Sequence, residues 1–195
     1  MKLLNFSSND SGPEDIHTHQ LYLRRPRLSD FQQWASLRGV SADFLKPYEP
    51  SWTHDELSRG SFKSRLRRQE SEINSGRGLP WFIFDASPKP KLLGGLTLSN
   101  IRRGVAQTAT LGYWMGAPFA GLGHMSEAVS AVCASAFDNH TLHRIEASTV
   151  LDNERSQRLL KKCDFQQEGI AKSYLKIDGN WRDHILFARI NPNHL

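Results

Sequence analysis

At 195 residues, with 38% hydrophobic and 23% charged side chains, the chain has the length and composition of one globular domain with its own core. The net charge of +5 favours an acidic partner such as a phosphorylated cofactor, RNA or a ribosomal surface, or simply a basic solvated exterior, because Lys and Arg are spread along the whole chain. Two cysteines are too few for a disulfide scaffold, no apolar run nears the roughly 18 residues of a membrane span, and no signal-peptide pattern opens the chain, so a cytoplasmic protein without a membrane partner is expected.

In chain order, residues 1–20 are polar and expected as a flexible lead-in, followed by one domain over 21–192. Leu21 to Arg25 reads as a first strand. Ser29 and Asp30 can cap a helix reaching Arg38, with Phe31, Trp34, Ala35 and Leu37 inward. Residues 44–54 are loop-like around Pro47 and Pro50. A charged helix is expected over 55–75, its run from Lys63 to Arg68 being a solvated face or a nucleic-acid patch. Three β-rich runs at 80–85, 91–99 and 107–116 are joined too tightly for crossovers and predict an antiparallel meander. From Gly123 the period becomes helical, with Met125, Ala128, Val129, Val132, Cys133, Ala136 and Phe137 on one side. A strand at 145–149, a helix from Asn153 to Cys163, and strands near 165–176 and 182–190 complete a single mixed α/β domain.

The stretch from Leu111 to Ala128 carries the chemistry. A strand ends, a glycine turn follows, and an amphipathic helix starts at once. Gly121 and Gly123 can take positive φ and gather several N–H groups around one concavity, with the positive end of the helix dipole behind them. A diphosphate is expected at 119–125. Ser126 breaks a dinucleotide-type glycine pattern, and the Gly-Lys-Ser/Thr of a P-loop is absent. By itself the turn is equally a helix N-terminus that needs room.

Gly121-x-Gly123-x-Met125-x-Glu127-Ala128 after a β-meander, then a strand and Asn153-Glu-Arg-Ser156-x-x-Leu-Leu, resembles the GNAT acetyltransferases. Phe44-Leu-Lys-Pro-Tyr-Glu-Pro50, Leu111-Gly-Tyr113, His143-Arg-Ile-Glu-Ala147 and the run from Glu168 to His184 are similar, within that family, to the ribosomal-protein-alanine N-acetyltransferases. The resemblance spans about residues 20–190. It implies a central, mostly antiparallel sheet flanked by helices, acetyl-CoA as co-substrate without a metal, and the N-terminal α-amine (Ala or Ser type) of a ribosomal protein as acceptor. Contact with the ribosome or an assembly intermediate would run through the basic surface.

Carried onto this chain, the resemblance gives the coenzyme phosphates to Gly121, Leu122, Gly123, His124 and Met125, with Phe119 and Ala120 at the entrance. Tyr113, Trp114 and Met115 pair with the pantetheine arm through their backbone and offer an N–H to the oxyanion. Pro118 stands where the family has Gln or Arg, which keeps the amides and removes one side-chain donor. Ser156 either donates to the leaving sulfur or helps cap its helix. Asn153 caps that helix and is a second contact for the pantetheine. Leu160 occupies the position where many relatives have an acidic Tyr, so that mechanism is closed.

Glu49 is the carboxylate best placed to orient the amine, or else an exposed loop acid. An α-amine, with a pKa of about 7.7–8.0 against about 10.4 for Lys, needs only a weak base. Trp181, Arg182, Asp183 and His184 either line the cleft or seal the last strand pair. Asp178-Gly179 reads as a hairpin turn, and Asp164 as a left-handed stop after its helix. The eight His residues show no metal spacing, and Cys133 sits in an apolar stripe. The rival readings are a GNAT enzyme for a small amine (an antibiotic or polyamine) and a non-catalytic module on the ribosome.

Overall fold

The computed structural model describes residues 14–194. Eight strands form one sheet in the order β1-β2-β3-β4-β5-β6-β8-β7. They are β1 (Ile16–His17), β2 (Leu21–Arg24), β3 (Leu79–Asp85), β4 (Leu92–Arg102), β5 (Thr108–Met115), β6 (Arg144–Val150), β7 (Gln166–Ile177) and β8 (Asn180–Ile190). Every neighbouring pair is antiparallel except β5 and β6, which run parallel because a helical crossover joins them. The helices are α1 (Phe31–Val40), α2 (Ala42–Leu45), α3 (Arg59–Asn74), α4 (His124–Asp138) and α5 (Glu154–Lys162).

Strand alternation divides the core between the two faces of the sheet. On β3, Leu79, Trp81 and Ile83 join the cluster that packs α4 and α5 through Val129, Val132, Cys133, Ala136 and Leu160. Phe82 and Phe84 point the other way, against Trp34 of α1 and Phe62 of α3. All seven residues expected on the inner side of α4 are buried. β3 therefore reads as a continuous apolar run because both its faces are covered.

Three local expectations need correction. The lead-in placed at 1–20 is folded from Glu14 on: Ile16–His17 pairs with Tyr22 and Leu23, and Trp81 Nε1 donates to the Glu14 carbonyl at 2.9 Å. Residues 1–13 lie outside the described residues. Neither Ser29 nor Asp30 caps α1 with its side chain. The Asp30 carboxylate instead binds Arg24 at 2.6 Å and the Arg27 amide at 2.7 Å, closing a 3-10 turn before the helix. Residues 44–54 are partly helical, through α2 and the 3-10 turn Lys46–Tyr48.

The turn chemistry holds. Asp178 (φ 45°) and Gly179 (φ 79°) are both left-handed, the combination a two-residue hairpin needs between paired Ile177 and Asn180. Asp164 takes φ 63° after α5, where its side chain also meets Arg189 at 3.5 Å.

Candidate active site

The site begins where two strands part. β5 and β6 pair only through Thr108↔Arg144, Ala109↔Ile145 and Thr110↔Glu146. Beyond that, β5 follows β4 as far as Gly94↔Met115, while β6 follows β8 as far as Val150↔His184. The sheet opens into a V, and the edge of β5 from Leu111 to Met115 is released from its parallel neighbour. Unpaired strand N–H and C=O groups facing a cleft suit an extended amide-bearing ligand, which they bind as a strand would.

At the head of the cleft the chain turns into α4. Gly121 and Gly123 have φ of 82° and 90°, and a Cβ at either would meet nothing within 4 Å, so backbone conformation rather than crowding selects glycine. The first intrahelical bond runs from the Glu127 amide to the Gly123 carbonyl, so the amides before it have no partner inside the helix. His124 Nδ1 is buried without a hydrogen-bond partner in this turn. Free amides and the positive end of a 15-residue helix fit a phosphorylated ligand.

A cavity of about 890 Å³ runs from this turn along β5 and between β6 and α5. Of the residues proposed from sequence, it gathers Tyr113, Trp114, Met115, Phe119, Ala120, Gly121, Gly123, Met125, Asn153, Ser156 and Glu49 in its wall. Leu122 is exposed, and neither it nor His124 lines the cavity. Phe44, Tyr48, Leu175 and Ile177 wall the far end with apolar surface. Among the described residues, no group of three or more His, Cys, Asp or Glu gathers as a metal site, and no helix is long and apolar enough to cross a membrane.

Ser156 lies in the first turn of α5. Asn153 caps that helix, its Oδ1 accepting from the Ser156 amide at 3.1 Å. The Ser156 hydroxyl is therefore not needed for the cap. It meets the Tyr113 hydroxyl at 2.5 Å. Burial pushes the Tyr113 phenol up to about 12, against the opposing effect of its bond to Ser156. The phenol keeps its proton at neutral pH. The sequence motif points to the Tyr113 backbone, but alternation from buried Leu111 and Met115 also aims its side chain at the α5 face.

Glu49 is neither a solvated loop acid nor a free one. Its two oxygens receive Arg38 Nη1 at 3.1 Å and Nη2 at 2.5 Å, and Trp52 Nε1 donates to Oε2 at 2.8 Å. Arg38 is only 3% exposed and sits beneath Trp52 and Trp114, with its carbon Cζ 4.6 and 5.1 Å from their ring centroids. A carboxylate so engaged holds the wall of the cavity in place. Of the four residues from Trp181 to His184 that could line the cleft or seal the last strand pair, only His184 lines the cavity. Thr149, which no motif singled out, lines it too, and its hydroxyl is buried and unpartnered.

The chain matches the acetyltransferase (GNAT) domain model over residues 20–166. It is 33% identical over 178 residues to the ribosomal protein uS5-alanine N-acetyltransferase of Escherichia coli, covering 91% of each chain. The crystal structure of the ribosomal-protein-S5-alanine acetyltransferase from Vibrio fischeri superposes with a TM-score of 0.84 at 29% identity, over 92% of this chain and 98% of that one. Mycobacterium smegmatis RimJ in complex with CoA-disulfide gives 0.86 at 29% identity, over 95% and 90%. A parted parallel strand pair, a glycine turn at a helix start and a family match over three quarters of the sequence converge: this chain belongs to the GNAT acetyltransferase family and is an N-acetyltransferase.

Proposed function

We propose that the protein transfers acetyl from acetyl-CoA to the N-terminal α-amine of a ribosomal protein, of the Ala or Ser type, by direct attack and without an acyl-enzyme. The carrying observation is the parted β5–β6 pair, whose open edge leads from the amide turn at 119–125 to Ser156. The similarity to relatives that act on ribosomal protein alanine supports the acceptor class. We take residues 21–192, joined by the segment from Glu14 that adds β1 to their sheet, as the catalytic domain, and the cytoplasm, where ribosomal proteins are made, as its place of action. The basic surface, including exposed Lys63, Arg67 and Arg68 on α3, suits contact with a ribosome or an assembly intermediate.

In this reading the amides at 119–125 hold the coenzyme diphosphate, and the backbone of Tyr113, Trp114 and Met115 pairs with the pantetheine and supplies an N–H to the oxyanion. Ser156 gives its proton to the leaving sulfur, and Tyr113 holds the Ser156 hydroxyl in place. Asn153 maintains the helix turn on which Ser156 sits. Glu49 acts through Arg38 and Trp52 as a positioning group for the acceptor wall. Cys133, buried with its thiol pushed up to about 12 by desolvation, has no part as a nucleophile.

The test is a product analysis. Purified protein is mixed with acetyl-CoA, peptides with N-terminal Ala or Ser, N-terminally blocked Lys peptides and polyamines, and products are read by mass spectrometry. Acetylation confined to free α-amines is expected. Acetylated polyamines alone would assign a small-amine enzyme, and ribosome binding without turnover a non-catalytic module.

A further inference from the structure

An attacking α-amine starts largely as an ammonium at neutral pH, since its ordinary pKa is about 7.7–8.0. Its proton needs a destination inside the cavity. Among the titratable groups lining it, Tyr48 and Tyr113 are phenols, and Arg155, Arg158 and Lys162 are cations. Glu49 and His184 are left, and Glu49 is already engaged by Arg38 and Trp52.

His184 is built in differently. It is 2% exposed, opposite Val150 on β6 and Ala171 on β7. Its Nδ1 lies 2.9 Å from the carbonyl oxygen of Arg182. A carbonyl only accepts, so Nδ1 carries the ring hydrogen and Nε2 keeps a lone pair, for which the described residues offer no partner. The β7 register shifts between Ala171 and Leu175, and this irregularity brings Tyr174 edge-on to the imidazole with centroids 5.7 Å apart. Asp183 holds the irregular segment in shape, accepting from the Ser173 amide at 2.8 Å and Lys172 Nζ at 2.7 Å.

We propose that His184 is a further catalytic residue, whose Nε2 takes the ammonium proton of the acceptor. The proposal rests on the α-amine transfer described above. One N–H bond of the ammonium breaks, and the proton passes to Nε2 to give imidazolium and neutral amine. The amine lone pair forms the C–N bond, the C–S bond breaks, and the second amine proton reaches the sulfur by way of Ser156. The imidazolium returns its proton to solvent after product leaves. The charged and titratable groups around the ring are the Asp183–Lys172 pair of the hairpin, Arg182 with Asp152 of the turn before α5, Tyr174, and across the cavity the Glu49–Arg38 pair, Tyr48 and Arg155. Each carboxylate among them is already paired with a cation, which leaves the imidazole as the unengaged base.

The experiment compares wild type, H184Q and H184A with an N-terminal Ala peptide. kcat is expected to fall about 100-fold or more in both variants. Coenzyme A affinity by calorimetry and the KM for peptide stay within about three-fold. Added imidazoles restore part of the H184A rate, and the restored rate varies with the pKa of the imidazole. In the wild type, diethyl pyrocarbonate modification of His184, mapped by mass spectrometry, tracks loss of turnover and is blocked by bound peptide; this holds even if a variant fails to fold. An H184Q kcat within about three-fold of wild type, or modified His184 with full activity, would overturn the proposal. Failure of the underlying reading looks different: the wild type itself acetylates no α-amine.

Discussion

A serine hydroxyl rotates freely unless a neighbour fixes it, and at Ser156 the neighbour is a phenol 2.5 Å away. The Tyr113 phenol, its pKa pushed up to about 12, keeps its hydrogen, so either hydroxyl can donate in this bond; the proposed proton transfer from Ser156 uses the arrangement in which the phenol donates to Ser156 Oγ and the serine proton points into the cavity. Because Asn153 caps the Ser156 amide and not the hydroxyl, S156A keeps the cap and removes only the donor. We expect S156A to lower kcat about 100-fold with coenzyme A affinity and melting temperature nearly unchanged. Y113F loses only the orienting bond and should cost about three- to ten-fold in kcat, as an indirect effect. Single-turnover rates and calorimetry on both variants check this, and a melting temperature that falls with S156A would return the serine to the capping role. Glu49 shows the limit of residue-level reading. Its partner Arg38 stands eleven positions away on α1, and only the fold of the 3-10 turn between them decides whether the carboxylate is free or held.

At the scale of elements, the α4 start was legible because glycine spacing and helical period meet there, and Gly121 and Gly123 take the positive φ that glycine permits. G123A introduces only backbone strain, about 1–2 kcal/mol at φ 90° with open space around the new Cβ. G123D adds a negative charge at the helix N-terminus. We expect G123A to weaken coenzyme A binding slightly and G123D at least about ten-fold, with the gap between them narrowing in high salt. Calorimetry across ionic strength reads both; equal losses would mean that no anion is bound at this turn. The β-meander was equally legible, since short connections permit only antiparallel neighbours. The parting of β5 from β6 was not. It depends on how far a parallel register extends across a crossover of nearly thirty residues, and no local pattern in Leu111–Met115 marks where pairing stops.

Across the whole molecule, the N-terminal segment ties down the helix on which the proposed cofactor turn rests. The Gln20 amide donates to Glu127 in the first turn of α4 at 3.1 Å, and Glu14 reaches its last turn, accepting from Ser135 Oγ and from Asn139 Nδ2 at 2.9 Å, beside His140 Nε2 at 3.1 Å. These partners are more than a hundred residues apart in sequence, and a two-residue strand such as Ile16–His17 has no periodicity to announce it, which is why the segment read as a loose lead-in. Burial works to raise the Glu14 carboxyl, but the bonds from Ser135, Asn139 and the backbone, with the charge of His140, outweigh it and hold the group below its ordinary 4.5. A depressed carboxyl stabilises the fold fully above its unfolded pKa and loses that contribution as pH falls through the folded value. The carboxylate is 37% exposed and screened by solvent, so E14Q should cost about 1 kcal/mol at pH 7. Urea melts of wild type and E14Q should show that gap present at pH 5 and closing below 4.5 as the wild-type carboxyl takes up its proton. A gap that persists unchanged below about pH 4 would show that the Glu14 charge does not hold α4 against the sheet.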